Sequence, residues 1–506
     1  MDKKTEKKIS ELEEESVPKK TKIAFGLFGT GHSALNGIAL GSAITFFYNV
    51  KLGLGEDLVS LAWIIFGIWN AINDPLFGIF QERTHSKLGR RIPYLRYGAP
   101  LYALTFIFCW FPVFENSQWA KFWNLLLVLF LFDSMFTIIG LITYTLPAEM
   151  AITQKERSSI VMYSTYFSAI GILISMVLPM ILLTDDNPDK LNPWFQPAMI
   201  ILGISASILM YFSTFHIYEN KYAMFEEPLG FFESIKETVK NREFLVFESF
   251  NFPLQIAWTI LNGTITYYVQ YILKLTGFAS SIPLVAVFAS IFAFTIFANK
   301  MVAKYGVKRS LKYGLLACSI NYVIFFLIGD GVVGGIIGLS LVGVPFAITT
   351  LTSNLAMTDV IDYDETLTGK RRETTYAGVN ALFVKPSISI ANALFLTIIK
   401  AFGFNKDQSV QTARAEFGIL FAFTVVPAIC VFLGYLAIRR FKLEGEEWKE
   451  TKEKLHRIHQ EKEKKIIAEA QKGERIQVEI PEEELEKLRF EEEDADLYVD
   501  DSENHT

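Results

Sequence analysis

The chain has 506 residues, 51% of them hydrophobic, with 44 phenylalanines and a formal net charge of −6. Apolar runs of about 20 residues recur along it, which excludes an ordinary soluble protein because a helix of that length spans a bilayer. The acidic residues are concentrated after residue 440, and an acidic tail repels phosphate, so nucleic-acid binding is not indicated.

The charged residues 1–22 lack the apolar core of a signal peptide, so this segment is predicted to remain in the cytosol. The apolar runs that follow predict twelve membrane-spanning helices. They cover roughly residues 23–49, 57–80, 94–114, 122–148, 159–184, 194–217, 244–273, 279–300, 310–330, 332–358, 375–402 and 415–440. Because the number of spans is even, both chain ends are predicted to lie on the same side of the membrane.

The charges of the loops predict which side that is. Every second loop carries several cations, such as Arg90 and Arg91 after the second span and Lys370, Arg371 and Arg372 after the tenth. The alternate loops carry few. The positive-inside rule therefore predicts a multi-pass protein of the cell membrane with both termini in the cytoplasm.

The fold class predicted from this pattern is an all-α membrane protein with twelve transmembrane helices in two pseudo-symmetric six-helix bundles. The bundles cover residues 23–217 and 244–440. The linker 218–243 has apolar residues at helical spacing and predicts a cytosolic amphipathic helix. Residues 441–506 predict a charged helix, about 444–472, followed by an acidic disordered end. The basic loops at 82–91 and 299–309 are similar, which favours related halves with a site between them at midplane.

The second span contains the most informative polar group, Asp74, in an otherwise apolar run. A carboxylate at membrane depth costs about 2.5–3.5 kcal/mol on insertion, so it usually marks an ion or substrate path. Asn70 and Asn73 share its helix face at i−4 and i−1. Together with a hydroxyl such as Thr137, these groups could bind Na⁺, or Asp74 alone could carry a proton. The alternative is a structural polar cluster between helices.

Lys385 is the only lysine or arginine well inside an apolar run, in the eleventh span. A buried cation needs an anion, and Asp74 is the natural candidate across the pseudo-symmetric centre. The charge pair is therefore predicted to couple the two halves. The alternative is a lysine near a helix end that reaches water.

Charged residues at the cytoplasmic ends of the spans predict a gate that breaks as the halves alternate, with opposed charges paired across the halves. The alternative is a set of solvated loops that follow charge topology. The candidate gate residues are Arg83, Arg90, Glu156, Arg157, Asp359, Asp362, Arg371, Arg372 and Glu373.

Polar and aromatic residues inside the spans are candidate substrate contacts, although each alone is more typical of a polar group that packs between helices. These candidates are His32, Asn36, Asp133, Asn251, Gln255, Trp258, Asn262 and Asn380.

In combination, these features resemble the glycoside–pentoside–hexuronide:cation symporters, the melibiose-carrier branch of the major facilitator superfamily, over about residues 20–445. Three signatures carry the resemblance: Asn70-Ala-Ile-Asn-Asp-Pro-Leu-Phe-Gly with Gly89-Arg-Arg-Ile-Pro; Leu146-Pro with Glu156-Arg157; and Asp359…Asp362-Tyr…Thr368-Gly-Lys-Arg-Arg-Glu373 leading to Tyr376 and Lys385.

The resemblance implies a cation site on the second helix, and Asn73, Asp74 and Lys385 match its motif. The sequence departs from the family where Asn70 replaces the usual first acid of the pair. The carboxylates that bind galactosides in the melibiose carrier have no clear counterpart, since the first span reads Gly29-Thr-Gly-His-Ser33. Animal lysolipid carriers share the fold and motifs, so a lipid substrate stays open.

The sequence therefore predicts a monomeric secondary active transporter that moves a sugar or glycoside with a co-transported cation by alternating access. A lysolipid or amphiphile carrier is the alternative within transport, and a non-transporting membrane sensor is the alternative from another class. H⁺ is favoured over Na⁺ because Asn70 leaves a single carboxylate. Neither a resident cofactor nor a metal site is predicted, and no nucleophile–base pair or phosphate loop indicates an enzyme.

Overall fold

The computed structural model of the protein describes residues 17–151, 154–184, 190–219, 231–369 and 372–470, apart from residues 83, 85 and 87. These residues form helices and contain no strand, which confirms the predicted all-α class. The helices of the first half are α1 (Lys19–Ala39), α2 (Ser42–Phe46), α3 (Glu56–Glu82), α4 (Ile92–Phe108), α5 (Gln118–Met150), α6 (Gln154–Leu183) and α7 (Phe195–Ser213).

A linker helix and a second set of long helices follow. They are α8 (Phe231–Lys240), α9 (Arg242–Tyr267), α10 (Ile282–Tyr305), α11 (Val307–Ile328), α12 (Val332–Thr368), α13 (Glu373–Ala401), α14 (Ala413–Ala437) and the tail helix α15 (Gly445–Ala470). The linker helix α8 packs against α9 and α13. The predicted end of the tenth span at residue 358 is wrong, because α12 continues to Thr368 and carries Asp359 and Asp362 on helix rather than loop.

Ten of the described helices, some with their flanking turns, are long and apolar enough to cross a membrane. The helices α3 and α4 match two of the twelve predicted spans but are not among these ten. The helix α4 has only 17 residues. The longer α3 carries Asn70, Asn73 and Asp74 in its apolar run. The helix α3 packs on α5 of the first half and on α13 of the second, and α4 packs on α5 and α7.

The two halves pack their helices in the same pattern. In the first half α1 packs on α6 and α7, α3 packs on α5, and α4 packs on α5 and α7. In the second half α9 packs on α13 and α14, α10 packs on α12, and α11 packs on α12 and α14. A π-helical turn follows α2 in the first half and α9 in the second, at Phe47–Lys51 and Tyr268–Leu273. This matched pairing confirms two related six-helix halves.

The halves meet on the face opposite the one where α1 begins and α14 ends; we call it the closed face, and the other the terminal face. On the closed face the Tyr267 hydroxyl donates to Asn49 Oδ1 at 2.9 Å, and both side chains are fully buried. The Thr266 hydroxyl hydrogen-bonds Ser42 at 2.9 Å. The Phe46 ring packs edge-on against Tyr267. Buried hydrogen bonds and ring packing therefore seal this face.

The crossing of α3 and α13 joins the halves below that seal. It is close because Gly67 faces Ser389: a Cβ built on Gly67 would lie 2.9 Å from the Ser389 Cβ. Small residues allow such close helix approach within membranes. The crossing fixes the register in which the polar face of α3 meets α13.

We expect Gly67→Ala to lower the midpoint of thermal unfolding of the purified protein, since overpacking of a close contact typically costs about 1–3 kcal/mol. The matched control is Gly140→Ala in α5, where an added Cβ would meet no atom within 4 Å. Equal midpoints for the two variants would show that the α3–α13 crossing tolerates separation.

Candidate cation and substrate site

Lys385 of α13 lies against Asp74 of α3, at the crossing where the two halves meet. Its ammonium donates hydrogen bonds to the Asp74 carboxylate, to Asn73 Oδ1 at 2.9 Å and to Thr137 Oγ1 at 3.3 Å. The Lys385 and Asp74 side chains are 14% and 13% exposed. A lysine has three N–H donors, and each of them has an oxygen acceptor here.

The helical periods of α3 and α5 bring these oxygens together. Asn73 and Asp74 lie on the face of α3 that meets α5 and α13, and Asn70 lies one turn earlier. Asp133 and Thr137 are four residues apart on α5, so they share one face of that helix. The predicted cation-binding residues are thus neighbours in space, with Asn70 and Asn73 fully buried.

Asp133 lies beside the predicted cation residues, although the sequence indicates only a candidate substrate contact. Its side chain is fully buried, and its Oδ2 accepts a hydrogen bond from the amide nitrogen of Asn73. Its Oδ1 has no hydrogen-bond partner among the described residues, nor does Asn70 Oδ1. The site therefore holds two carboxylates, with Asn73 bridging Asp133 to Lys385.

This arrangement can exchange Lys385 for a free cation. Carboxylate, amide and hydroxyl oxygens from Asp74, Asn73 and Thr137 surround the ammonium, and such oxygens are the ligands that hard cations prefer. A cation that takes these oxygens displaces Lys385 from its partners. Since Lys385 belongs to the second half and the oxygens to the first, the exchange changes how the halves are held together.

The candidate substrate residues of the first half lie on α1. The His32 ring stacks on Phe136 of α5 with centroids 5.2 Å apart and an interplanar angle of 4°. His32 Nδ1 and Asn36 Oδ1 are buried and have no hydrogen-bond partner among the described residues. Both atoms therefore have hydrogen-bonding capacity that the described residues do not use.

The second half contributes a polar ladder between α9 and α13. The Asn251 amide donates to Asn380 Oδ1 at 3.1 Å, and the Gln255 amide is 3.5 Å from Asn251 Oδ1. Trp258 packs on Phe288 and Phe346 within the half. Asn262 donates to the Trp258 carbonyl of its own helix at 2.9 Å. These contacts of Trp258 and Asn262 are those of side chains that pack between helices, which was the alternative to a substrate contact.

The gate residues of the first half have partners within that half. Arg90 donates to Glu149 at 3.0 Å, and Arg91 joins the same carboxylate at 3.2 Å. Glu156 pairs with Lys22 at 2.8 Å, and Arg157 Nε donates to the Ala151 carbonyl at 2.8 Å. Arg83 lies outside the described residues.

Two predicted gate residues of the second half, Arg372 and Asp359, pair within that half and with the tail. Arg372 donates to Asp364 at 2.8 Å, and Lys452 of α15 donates to Asp359 at 2.5 Å. Asp362 is nearly buried on α12, and Glu373 is exposed at the start of α13. Arg371 lies outside the described residues. The partners observed for Arg90 and Asp359 differ from the predicted cross-half pairs, and a gate between the halves stays a prediction.

The tail helix α15 docks on the end of α12, a contact that was not predicted from the sequence. Trp448, Thr451, Lys452 and Leu455 lie on one face of α15, and Trp448 packs edge-on against Tyr363. Trp448, Thr451 and Leu455 are each less than 7% exposed. Their spacing of i, i+3, i+4 and i+7 is the signal that could have indicated a docked helix.

Two helical halves that meet around a buried charged site are the architecture of secondary transporters. A family model described as "MFS/sugar transport protein" matches residues 25–445, and the chain belongs to that family. It is an integral membrane protein, and the resemblance to glycoside–pentoside–hexuronide symporters predicted from its motifs is confirmed.

The chain is similar to a putative glycoside/cation symporter, YagG of Escherichia coli (strain K12), with 20% identity over 84% of this chain and 92% of that protein. It is similar to the isoprimeverose transporter of Lactiplantibacillus pentosus, with 21% identity over 79% of this chain and 84% of that one. The crystal structure of a D-xylose-proton symporter matches the fold with TM-score 0.59, at 13% identity over 83% of this chain and 97% of that one.

We expect Lys385→Ala to destabilise the protein strongly and Lys385→Ala with Asp74→Asn to destabilise it less. Removing one partner of a buried ion pair costs about 3–5 kcal/mol because the other charge is left unpaired, whereas removing both costs less. Thermal unfolding of the two single variants and the double variant forms the cycle. Additive losses would show that the two side chains do not interact.

Truncation after Gly473 is expected to leave uptake per folded molecule and the unfolding midpoint unchanged, because α15 and its contacts remain. The contrasting variant ends at Leu443 and loses Lys452, which leaves the Asp359 carboxylate unpaired. That loss is expected to lower the midpoint. The broken ion pair alone contributes less to the free energy of unfolding than the about 3–5 kcal/mol of a fully buried pair, because the Lys452 side chain is 39% exposed. A reduced uptake after the Gly473 truncation would assign the acidic end to the mechanism.

Proposed function

We propose that this transporter couples the movement of a sugar or glycoside to a co-transported monovalent cation by alternating access. The observation that carries the proposal is Lys385, which extends from the second half into a shell of oxygens from the first. A buried charged pair of this kind is costly in a membrane, so its presence favours a functional role.

In the proposed cycle, the cation and Lys385 compete for the Asp74 carboxylate. With the site empty of cation, the Lys385–Asp74 pair holds α13 against α3. When the cation binds, it neutralises Asp74 and frees Lys385, so the crossing can rearrange. Because either the bound cation or Lys385 occupies the site, the Asp74 carboxylate is never left without a cationic partner.

Several groups support a hydroxylated solute. Asn36 on α1 has a free buried amide oxygen, and the Asn251, Gln255 and Asn380 amides form a ladder in the second half. Amides both donate and accept hydrogen bonds, as sugar hydroxyls do. The names of the relatives, a glycoside/cation symporter and an isoprimeverose transporter, support the same substrate class.

The same proposal includes a monomer in the cell membrane with both chain ends in the cytoplasm. The terminal face carries Arg90, Arg91 and Arg372, in agreement with the positive-inside rule. The closed face, sealed by Asn49 and Tyr267, then faces outward. The conformation described here is accordingly closed to the outside.

The test is uptake into proteoliposomes, using a panel of labelled glycosides, pentoses, hexuronides and one lysophospholipid. Each solute is offered under an inward Na⁺ gradient at uniform pH and under a pH gradient without Na⁺. One of the sugars is expected to accumulate above its external concentration under one of these gradients. Accumulation of the lysophospholipid alone would replace the sugar assignment, and no accumulation of any solute would contradict coupled transport.

Asp74→Asn is expected to abolish that uphill accumulation while solute exchange continues, because the neutral amide no longer requires the cation. The matched control is Asp57→Asn on the same helix, whose side chain is 73% exposed near the closed face and pairs with Lys400. Accumulation by the Asp74 variant equal to that of the control would show that coupling lies elsewhere.

A further inference from the structure

The orientation of the Asn73 amide is determined by its two neighbours. Lys385 can only donate hydrogen bonds, so the Asn73 atom that faces it at 2.9 Å must be the oxygen. The amide nitrogen then points the other way, where Asp133 Oδ2 accepts from it. A carboxylate has no donor, so it stabilises this orientation and no other. Asp133 thereby turns the Asn73 oxygen toward the position that Lys385 occupies.

The charge balance of the ion-loaded site also requires Asp133. Asp74 and Lys385 together are neutral, so a monovalent metal ion added to that pair alone would leave a net charge of +1 in a buried bundle. Isolated charge in such surroundings is strongly unfavourable. An ionised Asp133, fully buried and one amide away from Lys385, makes the ion-loaded site neutral.

The position of Asp133 explains why this chain can have Asn70 instead of an acid. Asn70 stands on α3 where the resembling family has an acid, and its Oδ1 is buried without a partner among the described residues. Asp133 Oδ1 is likewise buried and unpartnered. The two groups lie on helices that pack together, α3 and α5, so a carboxylate on either helix can serve the same site.

We propose that Asp133 is the second acid of the cation site: it aims the Asn73 oxygen at the bound ion and supplies the negative charge that Asn70 lacks. Asp133 acts through Asn73 and is a positioning residue. The inference rests on the cation site of the proposed function and deepens it. Asp74 alone favours H⁺, but a site with two carboxylates and several oxygens suits Na⁺, so Na⁺ is the ion assigned to it.

The test is Na⁺ binding by the purified full-length protein, with choline replacing Na⁺ at constant ionic strength and constant pH. Binding is read as the rise of the unfolding midpoint with Na⁺ concentration. The wild-type protein is expected to show a saturable rise. Asp133→Asn, which keeps the size of the side chain, is expected to weaken Na⁺ binding about 10-fold or more, as loss of an outer-shell partner of a metal ligand does.

The informative variant is Asn70→Asp combined with Asp133→Asn, which returns a carboxylate to the site from the neighbouring helix. It is expected to recover most of the lost Na⁺ affinity, an outcome that a merely structural role of Asp133 would not produce. The midpoint without Na⁺ reports whether each variant is folded, and Asp57→Asn is the matched control. Wild-type affinity in Asp133→Asn, no recovery in the double variant, or no Na⁺ response in the wild-type protein would overturn the proposal.

Failure of this inference and failure of the proposed function give different results. Solute accumulation driven by a pH gradient in a protein that does not bind Na⁺ would retain coupled transport and remove the Asp133 assignment. Na⁺ binding that depends on Asp133, in a protein that moves no solute of the panel, would retain the site and remove the transport assignment.

Discussion

A buried ammonium that must be paired constrains the rest of this protein. Lys385 extends from the second half into the first, and its three donors are taken by Asp74, Asn73 and Thr137. A charge in surroundings of low polarity is tolerated only with such partners. The close crossing at Gly67 brings the polar face of α3 against α13, and it keeps these groups in contact.

The contacts on either side of this pair join different partners. The described contacts of the closed face join the two halves, and they include neutral hydrogen bonds, such as Asn49 with Tyr267 and Ser42 with Thr266, and the exposed ion pair of Asp57 with Lys400. Near the terminal face, observed ion pairs such as Arg90 with Glu149 tie neighbouring helices of one half together. Ion pairs within one half stiffen that half. The neutral hydrogen bonds between the halves can be exchanged for hydrogen bonds to water at little cost. Rocking of rigid halves around a central charged site is consistent with that division.

The tail helix α15 extends the second half beyond its six spans. Trp448 and Leu455 are buried where α15 meets the end of α12, and Lys452 neutralises Asp359. Asp359, one of the predicted gate residues, is thus paired with Lys452 of the tail. The continuation of α12 to Thr368 makes this possible, because it presents Asp359 and Tyr363 on one helical face toward α15.

The sequence by itself determined the fold class, the two halves and the places of Asp74 and Lys385 as isolated charges inside apolar runs, because such runs and charges have few physical explanations. It also showed that Asn73 and Asp74 are adjacent on α3, since helical spacing is local. Tertiary structure alone decided that Asp133 joins Asn73, that Asp359 meets Lys452, and that Trp258 packs within the second half. These contacts join residues far apart in the chain, and a polar residue in a span has the same local pattern whether it faces a ligand, an ion or a neighbouring helix.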